Sequence, residues 1–234
     1  MEPEISSNGP YFKITNIKEN HNGFQYYDGL NVLIDKFNNN PSQSCVKGGL
    51  YFTTKEFIHE FYDYGDYLRV IELPTTDLDF KMVKDPQGDK YRANKIILKE
   101  RYSLADIETY HKFGIKYPTL TECVESGYLE MVKYLSAKPE TYHKFGIKYP
   151  TLTKCAESGY LEMVKYLFMK GADIHANNDE ALILSAGNGH LEMVKYLFMK
   201  GADIHANNDN ALRSSAGNGH TEVVKYLVER GADI

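Results

Sequence analysis

The chain has 234 residues, 42% of them hydrophobic, and its 27 lysines and arginines stand against 32 aspartates and glutamates for a net charge of −5. That length allows one or two domains with real cores, and the charge balance lacks the basic excess that phosphate binding needs, so nucleic acid is not an expected partner. No apolar run reaches the ~18 residues of a membrane span, the first ten residues are acidic rather than a secretory leader, and the three cysteines are an odd, sparse number that suits a reducing compartment. A monomeric, intracellular protein with no membrane association is the expectation.

Taken in order, residues 1–10 read as a short lead without structure. Residues 11–17 (YFKITNI) alternate enough for a strand, His21-Asn22-Gly23 turns, and 29–37 could be a strand or a short helix. Residues 48–53 (GGLYFT) read as a glycine-led strand. Thr53 with Glu56 then makes a capping box, and Phe57, Ile58, Phe61 and Tyr62 supply the stripe of a helix stopped by Gly65. Residues 67–73 form a strand closed by Pro74. Residues 80–83 and 93–98 are two more strands, with 85–89 (DPQGD) turning between them. This tyrosine- and phenylalanine-rich region, residues 1–102, is expected to be a compact α+β domain.

From Ser103 the pattern becomes helical. Ser103 and Asp106 supply a cap, Leu104 and Ile107 start a stripe that ends near Gly114, and Pro118 suits the first turn of the next helix. One sentence then recurs. GYLEMVKYLFMKGADIHANND starts at Gly159, GHLEMVKYLFMKGADIHANND at Gly189 and GHTEVVKYLVERGADI at Gly219, a fixed spacing of 30 residues; an earlier copy, GYLEMVKYL, starts at Gly127. ETYHKFGIKYPTLT also occurs twice, at 108–121 and 140–153. A fixed period of this size marks a stacked repeat array, whose single units cannot bury their own apolar faces.

Within one repeat, Asp179 is placed to cap a first helix in which Ala181, Leu182, Ser185 and Ala186 share a side. Gly187-Asn188-Gly189 breaks it. Met193, Val194, Leu197 and Phe198 form the stripe of a second helix. Gly201 stops that helix in a left-handed conformation, and residues 202–208 turn back to Asp209. The same alignment sets Leu120 and Leu152 under Leu182, and Cys123 and Cys155 under Ser185. The segment 136–149 is two residues longer than the later turns, and 140–145 is expected to replace the turn with helix.

The run Gly-His-Leu-Glu-Met-Val-Lys-Tyr-Leu followed by Gly-Ala-Asp-Ile resembles the second half of the ankyrin repeat. The resemblance covers residues 117–234 and implies an α-helical solenoid of about four repeats in which each helix pair carries a protruding turn, behind the α+β leader. Two departures stand out. The family's Thr-Pro-Leu-His is replaced by Glu180-Ala181-Leu182-Ile183 and Asn210-Ala211-Leu212-Arg213, and no polar capping pair follows the last repeat before Ile234. The array is taken as 103–234. The run SCVKGGLYFTTKEFIHEFYDYGDYLRVIELP, with DFKMVKDPQGDKYRANKIIL behind it, resembles the leader that precedes ankyrin repeats in giant-virus (mimivirus-type) proteins. That likeness implies a viral protein acting in a host cell, in its cytoplasm with the nucleus not excluded.

No catalytic constellation competes with this. Cys123 and Cys155 do not combine with His111 and His143 at any zinc spacing and sit where a small buried residue is wanted; no metal and no cofactor are expected. Cys45, in a loop, is the one thiol open to reaction. Asp173, Asp203 and Asp233, which invite a carboxylate-cluster reading, are by the resemblance the ties of their own turns. His190 and His220 match a family position that bonds backbone between repeats. An enzyme alternative lies in the leader: His21–Gly23 and the Gly-Gly-Leu-Tyr-Phe-Thr strand resemble the layout of ADP-ribosyltransferase folds, which would give His21 and Tyr51 a dinucleotide and leave Glu100 as the acid. The favoured expectation is a non-enzymatic interaction module. The resemblance implies that a partner protein meets the turn tips and the inner face of the first helices. Those positions are His175, Asn177, Asn178, Glu180 and Asn188, then His205, Asn207, Asn208, Asn210, Arg213 and Asn218.

Overall fold

A computed structural model describes residues 10–21, 23–137 and 150–233. The expected helix at 140–145, the lead at 1–9, and His143 lie outside the described residues. The chain divides into two compact units, residues 1–118 and 119–234; composition alone places the change of pattern at 102/103, ahead of the helix α1 (Ile107–Phe113). Its Phe113 packs edge-on against Phe12 and Tyr102 of the leader at 5.2 and 4.9 Å, so the first helix after the sheets belongs to their core.

The leader is antiparallel β. Strands β1 (Tyr11–Thr15), β6 (Tyr67–Glu72), β9 (Lys95–Ser103) and β4 (Gly29–Val32) lie side by side in that order. A second sheet runs β5 (Leu50–Phe52), β8 (Tyr91–Ala93), β7 (Met82–Lys84), and β2 (Asn20–His21) pairs with β3 (Phe24–Gln25). Successive side chains of a strand point to opposite faces of its sheet. Tyr11, Ile71, Ile96 and Leu98 of the larger sheet meet Leu50, Phe52, Tyr91 and Ala93 of the smaller in one core, with Tyr11 edge-on to Phe52 at 5.2 Å.

Several expectations change here. Residues 29–37 resolve to a strand that ends at Val32. The single strand expected over 93–98 is two, split at Asn94, whose backbone N–H donates to Lys81 O at 3.0 Å. The helix expected after Thr53 is a 3₁₀ helix, Ile58–Tyr64, that buries only Ile58. Thr53 does not cap it: its backbone pairs with Phe12 (2.8 Å both ways) and its hydroxyl donates to Asp89 O.

Arg92 is fully buried on β8 and has no carboxylate partner among the described residues. Its guanidinium donates to Asn38 O (2.8 Å), Gln43 O (2.6 Å) and Asn40 O, gathering the loop before β5. Gly49 lies against its side chain, where an added Cβ would come within 2.7 Å.

The second unit is helical and built from pairs: α2 (Leu120–Glu125) with α3 (Leu129–Ser136), α4 (Pro150–Glu157) with α5 (Leu161–Met169), α6 (Ala176–Gly187) with α7 (Leu191–Met199), and α8 (Ala206–Gly217) with α9 (Thr221–Glu229). Pro118 precedes α2 rather than starting it. Thr119 is the cap, in a full capping box with Glu122. The expected stripes are the core: Ala181, Leu182, Ser185, Ala186, Met193, Val194 and Leu197 are all at most 2% exposed, while Phe198 is half-buried. The second helices of the last three pairs end in a Schellman motif: at α7, Gly201 (φ +100°) donates to Phe198 O and Ala202 to Leu197 O, at 2.9 and 3.0 Å.

One contact repeats from pair to pair. Gly127, Gly159 and Gly189 have φ of +72° to +76°, and a ring from the next repeat (Tyr160, His190, His220) lies over each Cα, where a Cβ would meet it at 2.9, 2.8 and 2.5 Å. Glycine is therefore required twice over, by conformation and by close approach. His190 Nε2 also meets Glu157 O of the preceding repeat at 2.8 Å, the backbone bond expected of that position.

Candidate protein-binding surface

The turn tips owe their shape to three consecutive left-handed residues. Asn177, Asn178 and Asp179 have φ of 55°, 58° and 56°, and Asn207, Asn208 and Asp209 repeat this at 53°, 58° and 56°. Asparagine and aspartate tolerate that region best among residues with a Cβ, which accounts for their use here. The expected cap role of Asp179 is corrected by the same geometry. As a left-handed residue it faces back into the tip, and its carboxylate meets the His175 ring at 3.0 Å; Asp209 meets His205 at 2.8 Å. Asp173 and Asp203 do tie their turns, accepting from the N–H groups of His175 and His205 at 2.9 Å.

Below the tips, Ile174, Ala176, Ile204 and Ala206 are buried. The polar apex therefore stands on an apolar footing, which makes it a fixed shape. Of the eleven residues proposed from sequence, His175, Asn177, Asn178, Asn188, His205, Asn207, Asn208, Arg213 and Asn218 are exposed, while Glu180 and Asn210 are half-buried. Exposure does not make them equally available. Asn177 donates to Glu180 (2.9 Å), Asn188 to Leu184 O (2.9 Å), and Asn218 to Gly187 O of the preceding repeat (2.6 Å). Arg213 donates to the carbonyls of Asn207 (3.0 Å) and Asn208, and Asn210 accepts from Ser214 (3.1 Å). The side-chain amides of Asn178, Asn207 and Asn208 have no partner among the described residues. The sequence pattern makes all eleven alike, and hydrogen bonding separates these three.

Cys123 and Cys155 are buried, with burial as the main cause pushing each thiol up to about 12. Cys45 is exposed. Among the described residues no group of three or more histidine, cysteine or carboxylate side chains could hold a metal, and no helix is long and apolar enough to cross a membrane. The residues of the enzyme alternative have their own surroundings in the leader. The Tyr51 hydroxyl is taken up by Val46 O at 2.7 Å, the His21 ring lies against Tyr64 at 5.3 Å, and Glu100 is exposed on β9.

The family model for ankyrin repeats matches residues 152–234 in three copies. Ankyrin repeat protein R868 of Acanthamoeba polyphaga mimivirus is 44% identical over 131 residues, covering 53% of this chain and 65% of that protein. Ankyrin repeat protein R896 of the same virus is 41% identical, covering 54% of this chain and 40% of its own length. The uncharacterized protein R869, also of that virus, is 43% identical, covering 52% of this chain and 94% of its own length. The chain thus spans less than two thirds of the first two of these relatives.

Proposed function

The chain belongs to the ankyrin-repeat proteins of the mimivirus type, and from that membership we propose that it is a protein-interaction module whose partner docks on the tips and on the exposed side of the first helices. Ankyrin repeats in general serve protein–protein interaction, and the relatives with names are named as repeat proteins rather than enzymes. The observation that carries the finer reading is the set of unpaired amides at Asn178, Asn207 and Asn208. Each offers a donor and an acceptor on a rigid, left-handed apex, two of them on the second tip and one on the first. Amide groups of this kind recognise main-chain or polar side-chain groups of a polypeptide. The setting proposed is the interior of an infected cell, most simply its cytoplasm, with no cofactor required.

The test compares capture from host-cell extract by the whole chain and by a variant with alanine at Asn177, Asn178, Asn207 and Asn208. Loss of the specific partners from the variant, with its helical circular dichroism unchanged, is the expected result. Equal recovery by both proteins would remove the tips from the binding surface. Incubating the chain with labelled dinucleotide and extract should leave no label on any protein; label that depends on His21 would move the function into the leader.

A further inference from the structure

The larger leader sheet ends at β4, and that edge is open. The ladder pairs Gly29 with Leu98 and Asn31 with Ile96, and Leu33 donates to Asn94 O at 2.8 Å. Alternate residues of an antiparallel strand direct their main-chain groups to the same neighbour. The N–H and C=O groups of Leu30 and Val32 therefore face away from β9, and nothing among the described residues bonds them. Their side chains are open as well: Leu30 is 55% exposed, Val32 46% and the following Ile34 92%. Asn31 and Leu33 point the other way, into the sheet's covered side. Edges are ordinarily blunted by charge, proline or a bulge; residues 30–34 (LNVLI) contain no charge and no proline, and the β4–β9 register has no irregularity.

We propose that β4 pairs with the β4 of a second copy of this chain, antiparallel, with Val32 on the two-fold axis. The flanking charges select this occupant and direction. Asp28 precedes the apolar run and Lys36 follows it, both exposed. With Val32 opposite itself, Leu30 comes opposite Ile34 of the second copy and Asp28 opposite its Lys36, and each of these pairs forms twice. A parallel arrangement would set like charges against each other, which disfavours pairing. Asp28 already binds Arg69, yet its side chain is 89% exposed and keeps an oxygen free. Because the regular strand ends at Val32 and the chain bends at Ile34 and Asp35, main-chain pairing is confined to the centre, and Ile34 and Lys36 contribute through side chains. The pairing departs from the monomer expected from sequence and is independent of what the repeats bind.

Sedimentation of the full chain across a wide range of concentration tests it. A dimer is expected, and Leu30→Lys, with an unchanged melting curve, should weaken it by ~tenfold or more, as a lysine on an edge does. The register has its own test in a Cys45→Ser background. Opposed residues at a bonded antiparallel position have Cα atoms about 5.5 Å apart, within disulfide reach, so Val32→Cys should cross-link on oxidation and Leu30→Cys should not. A monomer at every concentration overturns the proposal. So does a dimer indifferent to Leu30→Lys, or equal cross-linking at both cysteines.

Discussion

Gly189 and Gly219 hold nearly the same φ, +76° and +77°, but only Gly189 has a ring over it; at Gly219 the space is open. The pair separates conformation from contact. Alanine at Gly219 should cost the ~1–2 kcal/mol of a left-handed residue with a Cβ. Alanine at Gly189 should cost that and more, since it must also displace His220, and urea denaturation of the two variants measures the difference. The thiols make a second contrast. Ellman's reagent at pH 8 should titrate Cys45 at once, and Cys123 and Cys155 only in denaturant, because the buried pair is held protonated up to about 12. Lys13 supplies a pH dependence. It is buried, donates to Tyr51 O at 3.1 Å, and desolvation lowers it to about 8 against some opposition from Glu19. Between about 8 and its ordinary 10.5 the unfolded chain keeps a proton that the folded chain has released, so this group's contribution to stability rises with pH. Below that window the burden of the buried charge is constant. Stability measured relative to Lys13→Met should therefore improve across the window; a flat difference would place the ammonium in water.

For the helices of the last two repeats, periodicity is enough, whereas the stripe at Phe57–Tyr62 marks a 3₁₀ helix that buries only Ile58. The spacing of Leu197 places it in the core, where it is fully buried, and Leu197→Ala should cost about 2–5 kcal/mol in chemical denaturation. The caps were harder to read. Thr53-x-x-Glu56 and Thr119-x-x-Glu122 are the same pattern, yet only the second forms a box, because the first threonine is committed to Phe12 and Asp89. Asp179 misled for a related reason: the short polar side chain that suits a helix cap also suits a left-handed turn, and the path of the chain between repeats decides which. That left-handed run gives a further test. Asn178→Gly should be tolerated, whereas Asn178→Val should destabilise by ~1–2 kcal/mol, a difference visible in thermal melting. In the leader, alternation located most strands, but it could not say that residues on either side of Asn94 belong to different sheets. That assignment depends on partners far away in the chain.

At the scale of the whole chain, the repeats are joined by more than their buried stripes. Phe168 meets Tyr196 edge-on at 6.4 Å and Phe198 meets Tyr226 at 6.2 Å, while the Lys200 ammonium lies 5.7 Å from both the Phe168 and the Tyr196 rings. These contacts link nearest neighbours only, the condition under which an array gains stability repeat by repeat. The turn tips are legible in the sequence as exposed positions, but which of their groups are free is not, since that depends on hydrogen bonds that composition does not encode.

The two tips share one backbone, and a partner that grips one could grip the other by shifting a single step, like a bolt offered two identical threads. Arg213 removes that ambiguity. It clasps the carbonyls of Asn207 and Asn208, where the matching place one repeat earlier holds the buried Ile183. One cationic side chain, present on a single step, gives an otherwise repeating surface a head and a tail. A polypeptide docked as proposed would then be told not only where to lie but which way to run.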